Sequence, residues 1–250
     1  MKTKNVILLV SVATICMCIG HSVNAGSPFT APTAPGAASV KGRVKFEGVV
    51  PKLHPINMAA DPSCAKLHSL PALTQDIVAD SQGGLQNAIV FVADGLGDRV
   101  YEPPTQPAVL EQKGCMYQPH VLAVRANQPL EVVNDDPTGH NIHPMPLNNR
   151  EWNKAEPPDS KMDESFAREE IAIPVKCNIH PWMHTYVAVF KHPFFAITGK
   201  DGTFDLSNLP PGTYTIEAWQ EKLGTVTQKI TLGTNETKEI EFVFKPRPGA

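Results

Sequence analysis

Donors that bind soft metal ions crowd into one nine-residue run, KCNIHPWMH, where Cys177, His180 and Met183 follow one another at intervals of three. Upstream, DDPTGHNIHP places His140 and His143 behind a turn. A thiolate, imidazoles and a thioether form a donor set suited to copper cycling between its two oxidation states. Sulfur favours the reduced ion, imidazole tolerates both, and a weak axial Met leaves a trigonal His2Cys site whose geometry changes little on electron transfer. If a strand ends at Cys177, the short loop after it can wrap one ion, and the remaining ligand must come from a distant loop. His140 is placed to supply it.

Structural zinc fits this set less well, because zinc prefers more Cys, His or carboxylate and rarely takes a thioether. Nucleophilic Cys–His catalysis needs a positioned base and an oxyanion site. Nothing else in the chain suggests either, so the reading is of a non-enzyme, with a mononuclear copper catalyst as its alternative. His54, His68, His120, His184 and His192 are read as solvated loop histidines.

The elements that must carry these residues are strands. Val40, Val44 and Phe46 alternate with Lys41, Arg43, Lys45 and Glu47, the pattern of a half-buried strand. NAIVFV, residues 87–92, is a short apolar run between glycine-rich turns. Strands are also expected at Leu130–Val132, before the break at Asn134-Asp135-Asp136-Pro137, and at Tyr186–Phe190. The alternating set is completed at Phe204–Leu206, Tyr214–Ala218 and Ile240–Phe244. Residues 161–170 read either as a helical turn or as a strand leading into Ile171, and the strand is preferred. With 24 Pro and 17 Gly in 250 residues, many short strands and turns outweigh long helices, so the class is all-β.

Residues 1–25 begin with Lys2 and Lys4, continue through an apolar stretch and end at Val23-Asn24-Ala25. This is the pattern of a cleavable export signal, placing the mature protein in the periplasm or outside the cell. The apolar stretch is shorter than the ~20 residues a spanning helix needs, so no membrane span is expected after cleavage. Residues 26–38, rich in Pro, Ala, Thr and Gly, read as an exposed linker. Of the five Cys, Cys16 and Cys18 leave with the leader, and Cys64, Cys115 and Cys177 remain. An odd number in an oxidising compartment calls for an explanation, because a leftover thiol must be protected or used; two could form a bridge while the third does chemistry, and spacing alone permits any pairing. A formal charge of −3 offers no broad basic face to nucleic acid.

Residues 107–190 resemble a cupredoxin, the blue-copper fold, nearest the amicyanin and plastocyanin branch, through VNDDPTGHNIH and KCNIHPWM. Carried over residue by residue, the resemblance implies one type 1 copper ion held by His140, Cys177, His180 and Met183, with His143 outside the site. Asn141 would tie the two ligand loops together, and Pro181 and Trp182 would form an apolar collar around His180, the ligand nearest solvent and the electron exit. Cys64 and Cys115 are then the natural disulfide pair. The long polar stretch of residues 148–170 departs from a minimal electron carrier.

Residues 199–232 resemble the carboxypeptidase regulatory-like domain, a transthyretin-like β-sandwich related to carbohydrate-binding-like folds, and residues 40–46 and 88–92 resemble its opening strands. The implied arrangement is a cupredoxin Greek-key sandwich, residues 104–193, inserted into a regulatory-like sandwich split between 39–103 and 194–245, with a tail at 246–250. A tandem with an extra N-terminal hairpin is the rival. The function implied is single-electron transfer with a redox protein partner. The alternatives are a carbohydrate- or protein-binding module at the cell surface with a structural or vestigial copper, and copper storage or delivery. Trp152, Trp182, Trp219 and four Tyr are the aromatics available for a sugar platform.

Overall fold

The computed structural model describes residues 36–246, so the export signal, residues 26–35 of the linker and residues 247–250 of the tail lie outside the described residues. The chain runs β1 (Ala38–Phe46), α1 (Pro62–Ala65), β2 (Ile89–Asp94), β3 (Ala108–Gln112), β4 (Tyr117–Gln118), β5 (Val121–Arg125), β6 (Leu130–Asn134), β7 (His140–Pro144) and β8 (Lys154–Glu156). It continues through β9 (Ser160–Glu164), β10 (Glu170–Lys176), β11 (His184–Phe190), β12 (Phe195–Ile197), β13 (Thr203–Leu209), β14 (Gly212–Gln220), β15 (Gly224–Leu232) and β16 (Thr237–Phe244). The protein is all-β, its one helix among the described residues being four residues long. No helix among them is long and apolar enough to cross a membrane.

Among the described residues, four sheets form two sandwiches. The outer sandwich pairs β13-β1-β16 with β12-β2-β14-β15 around a core that includes Val40, Val44, Val90, Val92, Ile216 and Phe242. The inner one pairs β5-β11-β10-β7-β8 with β4-β3-β6-β9 around Leu110, Tyr117, Val132, Ile142, Val187 and the donors Cys177 and Met183. A third cluster, Ile89, Phe91, Val121, Ala188 and Phe190, joins the two sandwiches. NAIVFV is apolar throughout because β2 buries both faces: Val90 and Val92 face the outer core, Ile89 and Phe91 the joint. Strand β11 does the same from the other side, with Val187 and Val189 inward and Ala188 and Phe190 at the joint.

The outer sandwich draws its strands from both ends of the chain. β1 runs parallel to β16 over eight register pairs, Ser39 against Thr237 to Phe46 against Phe244. Gly42 is required within it, since a Cβ there would sit 1.8 Å from the Ile240 carbonyl oxygen. The Asp201-Gly202 turn likewise needs its glycine, with φ at +76° and the Val44 carbonyl 2.4 Å from where a Cβ would lie. Residues 56–72, grouped with the first sandwich in the sequence reading, pack instead on the inner core through Ile56, Met58, Cys64 and Ala72.

The polar stretch at 148–170 contains β8, β9 and the start of β10; over 161–170 the preferred strand reading holds at both ends and is interrupted at 165–169. The loop leading into it is anchored by Glu170, whose carboxylate accepts from the backbone N–H groups of Leu147 at 2.5 Å and of Asn148 and Asn149 at 3.0 Å. Burial pushes the Glu170 carboxyl up, but these donors and the Asn149 amide outweigh it and hold it below its usual range. A folded-state pKa below the unfolded one adds stability that is complete above the unfolded value and is lost as pH falls through the folded one. E170Q should therefore cost about 1–3 kcal/mol at neutral pH, and the gap to wild type should close below about pH 4. Urea melts of both proteins between pH 3 and 7 measure it, and a gap that persists unchanged at pH 3 contradicts the carboxylate anchor.

Candidate metal centre

The turn before β7 and the loop after β10 bring two sets of donors to one buried point. In the turn, the Asn134 side-chain amide donates to the carbonyls of Thr138, Glu156 and Pro157, and Asn134 Oδ1 accepts from the Asp136 N–H at 3.0 Å. These bonds fix the DDPTG turn and deliver His140 as the first residue of β7. In the loop, Cys177 N–H donates to the Met183 carbonyl at 3.1 Å and Met183 N–H to the His180 carbonyl at 2.9 Å, so residues 177–183 close on themselves. The His180 N–H points at Cys177 Sγ, 3.4 Å away. Asn141 spans the two segments: its Oδ1 accepts from the Asn178 N–H at 2.7 Å and lies 3.4 Å from Cys177 Sγ.

One ligand atom each from His140, Cys177 and His180 lies within 4.8 Å of the other two. His140 Nδ1 is 2.9 Å from His180 Nδ1, and His180 Nδ1 is 3.8 Å from Cys177 Sγ. All three residues are buried, and Met183 is fully buried in the same core. His143 stands apart, bonded to Asn178 and Glu151. Pro181 is exposed, while Trp182 is half-buried with its ring 5.1 Å from that of His180.

The outer nitrogen of each imidazole rests on a carboxylate. His140 Nε2 donates to Asp136 at 2.9 Å, and His180 Nε2 to Asp61 at 3.0 Å. This leaves a lone pair on each Nδ1, and two lone pairs 2.9 Å apart in a buried site repel unless a proton or a cation lies between them. The donor set thus fits a metal ion, with both imidazoles already in the tautomer that presents Nδ1. Burial pushes the Cys177 thiol up, but the His140 ring and the backbone N–H groups outweigh it and bring it down to about 6. Burial likewise lowers His140, and Asp136 and Cys177 reverse this and raise it to about 9.

Asp136, Asp61 and Glu156 were not singled out from the sequence. Asp136 also accepts from the Gly114 and Cys115 N–H groups, at 2.6 and 2.7 Å, and its place in the same turn as His140 is the signal that could have found it. Ser63 first and His180 second hold Asp61 far below the usual carboxylate range. Glu156 lies opposite His140 in the β7–β8 ladder, and burial raises its carboxyl to about 7.

The sequence reading makes His180 the ligand nearest solvent, and the structure corrects this. Its side chain is 2% exposed, because residues 61–68 fold over it. Cys64 and Cys115 form a disulfide, and Cys64 Sγ lies 3.6 Å from His180 Nε2. His68 Nε2 donates to the Gly114 carbonyl at 2.7 Å and clamps the same two segments together. Of the histidines read as solvated, His120 and His192 are buried. His68 and His184 are half-buried, and His54 is exposed as expected.

No family model matches the chain, and no curated protein does. Among solved structures, a copper-containing nitrite reductase from Thermus scotoductus SA-01 is similar over 39% of this chain and 25% of its own, at 18% identity and a TM-score of 0.33. This chain thus spans a quarter of that enzyme's length. A purple cupredoxin from Nitrosopumilus maritimus is similar over 30% of this chain and 81% of its own, at 24% identity and a TM-score of 0.26. An oxidized mutant of amicyanin is similar over 46% of this chain and 93% of its own, at 14% identity and a TM-score of 0.30.

Replacing both Cys64 and Cys115 by Ala should remove about 4 kcal/mol of stability on the chain-entropy model, given their separation of 51 residues. It should also open His180 to an imidazole-selective reagent, followed by peptide mass spectrometry. Equal protection of His180 in both proteins would show that the stapled segment is not what covers it.

Proposed function

We propose that this protein is an exported carrier of single electrons that holds one copper ion between His140, Cys177 and His180, with Met183 as the weak fourth ligand. The observation that carries the reading is the pair of imidazole Nδ1 atoms facing each other beside the Cys177 sulfur, each ring held from behind by a carboxylate. Copper supplies a one-electron couple there, stabilised in its reduced form by sulfur and tolerated in both forms by imidazole. The chain supplies the rest. Asp136 and Asp61 orient the rings, the backbone N–H groups of Asn141, Ile179 and His180 favour the thiolate, and the inner core excludes water. A structure that holds its ligands before the ion arrives has little to rearrange when the charge changes.

The reading includes a division of labour between the sandwiches. The inner sandwich is proposed to be a cupredoxin-like domain inserted into a regulatory-like one, as the strand partners of β1, β2 and β12–β16 suggest. A redox protein partner would receive electrons through a route other than the bare edge of His180, since Asp61, the disulfide and Trp182 cover it. The half-buried Trp182 ring, against His180 on one side and bonded through its indole N–H to the Cys115 carbonyl at 3.1 Å, offers such a path. Sugar recognition finds less support, because the half-buried Trp219 and Trp152 are engaged against Tyr186 and Phe166.

Cu(II) titration with visible absorption should give an intense thiolate-to-copper band that saturates at one ion per chain and is absent in C177S. A colourless complex of the intact protein overturns the proposal. D136N, which removes the charge behind His140, should weaken copper binding about 10–100-fold, measured by competition with a chelator of known affinity.

A further inference from the structure

We propose that His120, His184 and Glu221 form a second metal site, for a divalent first-row ion such as Zn²⁺, built across the joint between the two sandwiches. It shares no residue with the first centre. His120 lies just before β5 and His184 opens β11, both in the inner sandwich, whereas Glu221 begins the turn after β14 in the outer one. One ligand atom from each lies within 4.8 Å of the other two.

The strand alternation explains why His184 is available. Successive side chains of a strand point to opposite faces, so while Thr185, Val187 and Val189 turn toward the inner sandwich, His184, Tyr186, Ala188 and Phe190 face the joint. His184 Nδ1 donates to the Trp182 carbonyl at 3.2 Å, which leaves the lone pair on Nε2. A backbone carbonyl behind a ring nitrogen is the usual support of a metal-ligating histidine. His120 is held from its own backbone, whose carbonyl accepts from the Thr185 hydroxyl at 2.9 Å and the Tyr186 N–H at 3.2 Å. The two rings stand edge to face with centroids 5.3 Å apart.

Glu221 supplies the charge. Its side chain is 1% exposed and His120 Nε2 lies 2.5 Å from Oε1, yet Oε2 has no hydrogen-bond partner among the described residues. The nearest cation, Lys222 Nζ, is 4.0 Å from Oε2 and is paired with Asp76 at 2.9 Å. A buried carboxylate oxygen without a donor is costly, and a cation among these three residues would satisfy it. The turn that carries Glu221 is rigid, because Gln220 Oε1 accepts from the N–H groups of Lys222 and Leu223 at 2.8 and 3.0 Å. Two imidazoles and one carboxylate match the ligand set of a zinc site with an open position, and the same donors suit other divalent ions of the first transition row. The Tyr186 phenol borders the site, kept neutral by burial and by the Glu221 charge, which push it up to about 12.

The test is anomalous diffraction at the zinc edge on crystals of the full chain equilibrated with ZnCl2, with equilibrium dialysis of the same protein in solution. The expected result is a zinc peak about 2.0–2.2 Å from a nitrogen of His120, a nitrogen of His184 and an oxygen of Glu221, retained in C177S. H184A and E221Q should each weaken this binding by more than about 100-fold, beyond what loss of an outer-shell partner costs. H184A alters only a half-buried strand end, so it keeps the test open should E221Q fail to fold. Zinc found only at the first centre, or an affinity unchanged in H184A, would reduce the three residues to a His120–Glu221 hydrogen bond and overturn the proposal.

Discussion

Two ring nitrogens held 2.9 Å apart beside a buried sulfur are the constraint to which the inner sandwich answers. Left alone, such a cluster would relax, because buried lone pairs without a partner cost free energy. The surrounding structure prevents relaxation by holding each ring from behind. Asp136 is itself pinned by the N–H groups of Gly114 and Cys115, and Asp61 caps the four-residue helix that presents Cys64. The disulfide joins these two supports, so both carboxylates and both rings belong to one connected unit. In that unit a turn, a strand end and a distant loop act together, although they are far apart in the chain.

The fold was legible wherever one face of a strand meets solvent. β1, β14 and β16 alternate in the sequence as they do in burial. β2 reads as an apolar run without period because it is covered on both sides, a fact of the neighbouring layer that no local pattern encodes. The donors of the first centre were legible for a different reason. Cys177, His180 and Met183 lie within one tight loop, so their spacing already restricts their geometry, and His140 sits beside a turn with strong side-chain signals. What covers them was not legible. Asp61 and Cys64 approach His180 only because a bridge to Cys115 draws a remote segment across, and three cysteines permit more than one pairing.

The joint between the sandwiches shows the same limit from another side. His120 and His184 read as solvated loop histidines, since the donors beside His184 belong to the first centre and Glu221 is about a hundred residues from His120. Their meeting depends on β11 having two useful faces. One face sends Val187 and Val189 into the inner core, and the other presents His184 and Tyr186 to the turn after β14. A strand shared between two apolar clusters is thus also the element that brings two polar centres close together, through the consecutive residues Met183 and His184.

The parallel pairing of β1 with β16 has a consequence for how the chain reaches its final form. Strand β1 finds both of its partners, β13 and the long β16, only when those late segments have been made, so its edges stay bare through most of synthesis. The inner strands from β3 to β11 are contiguous and need no such wait. The layer that houses the sulfur and imidazole donors can close while the layer around it is still open, and the outer sandwich is then finished by its two ends coming together.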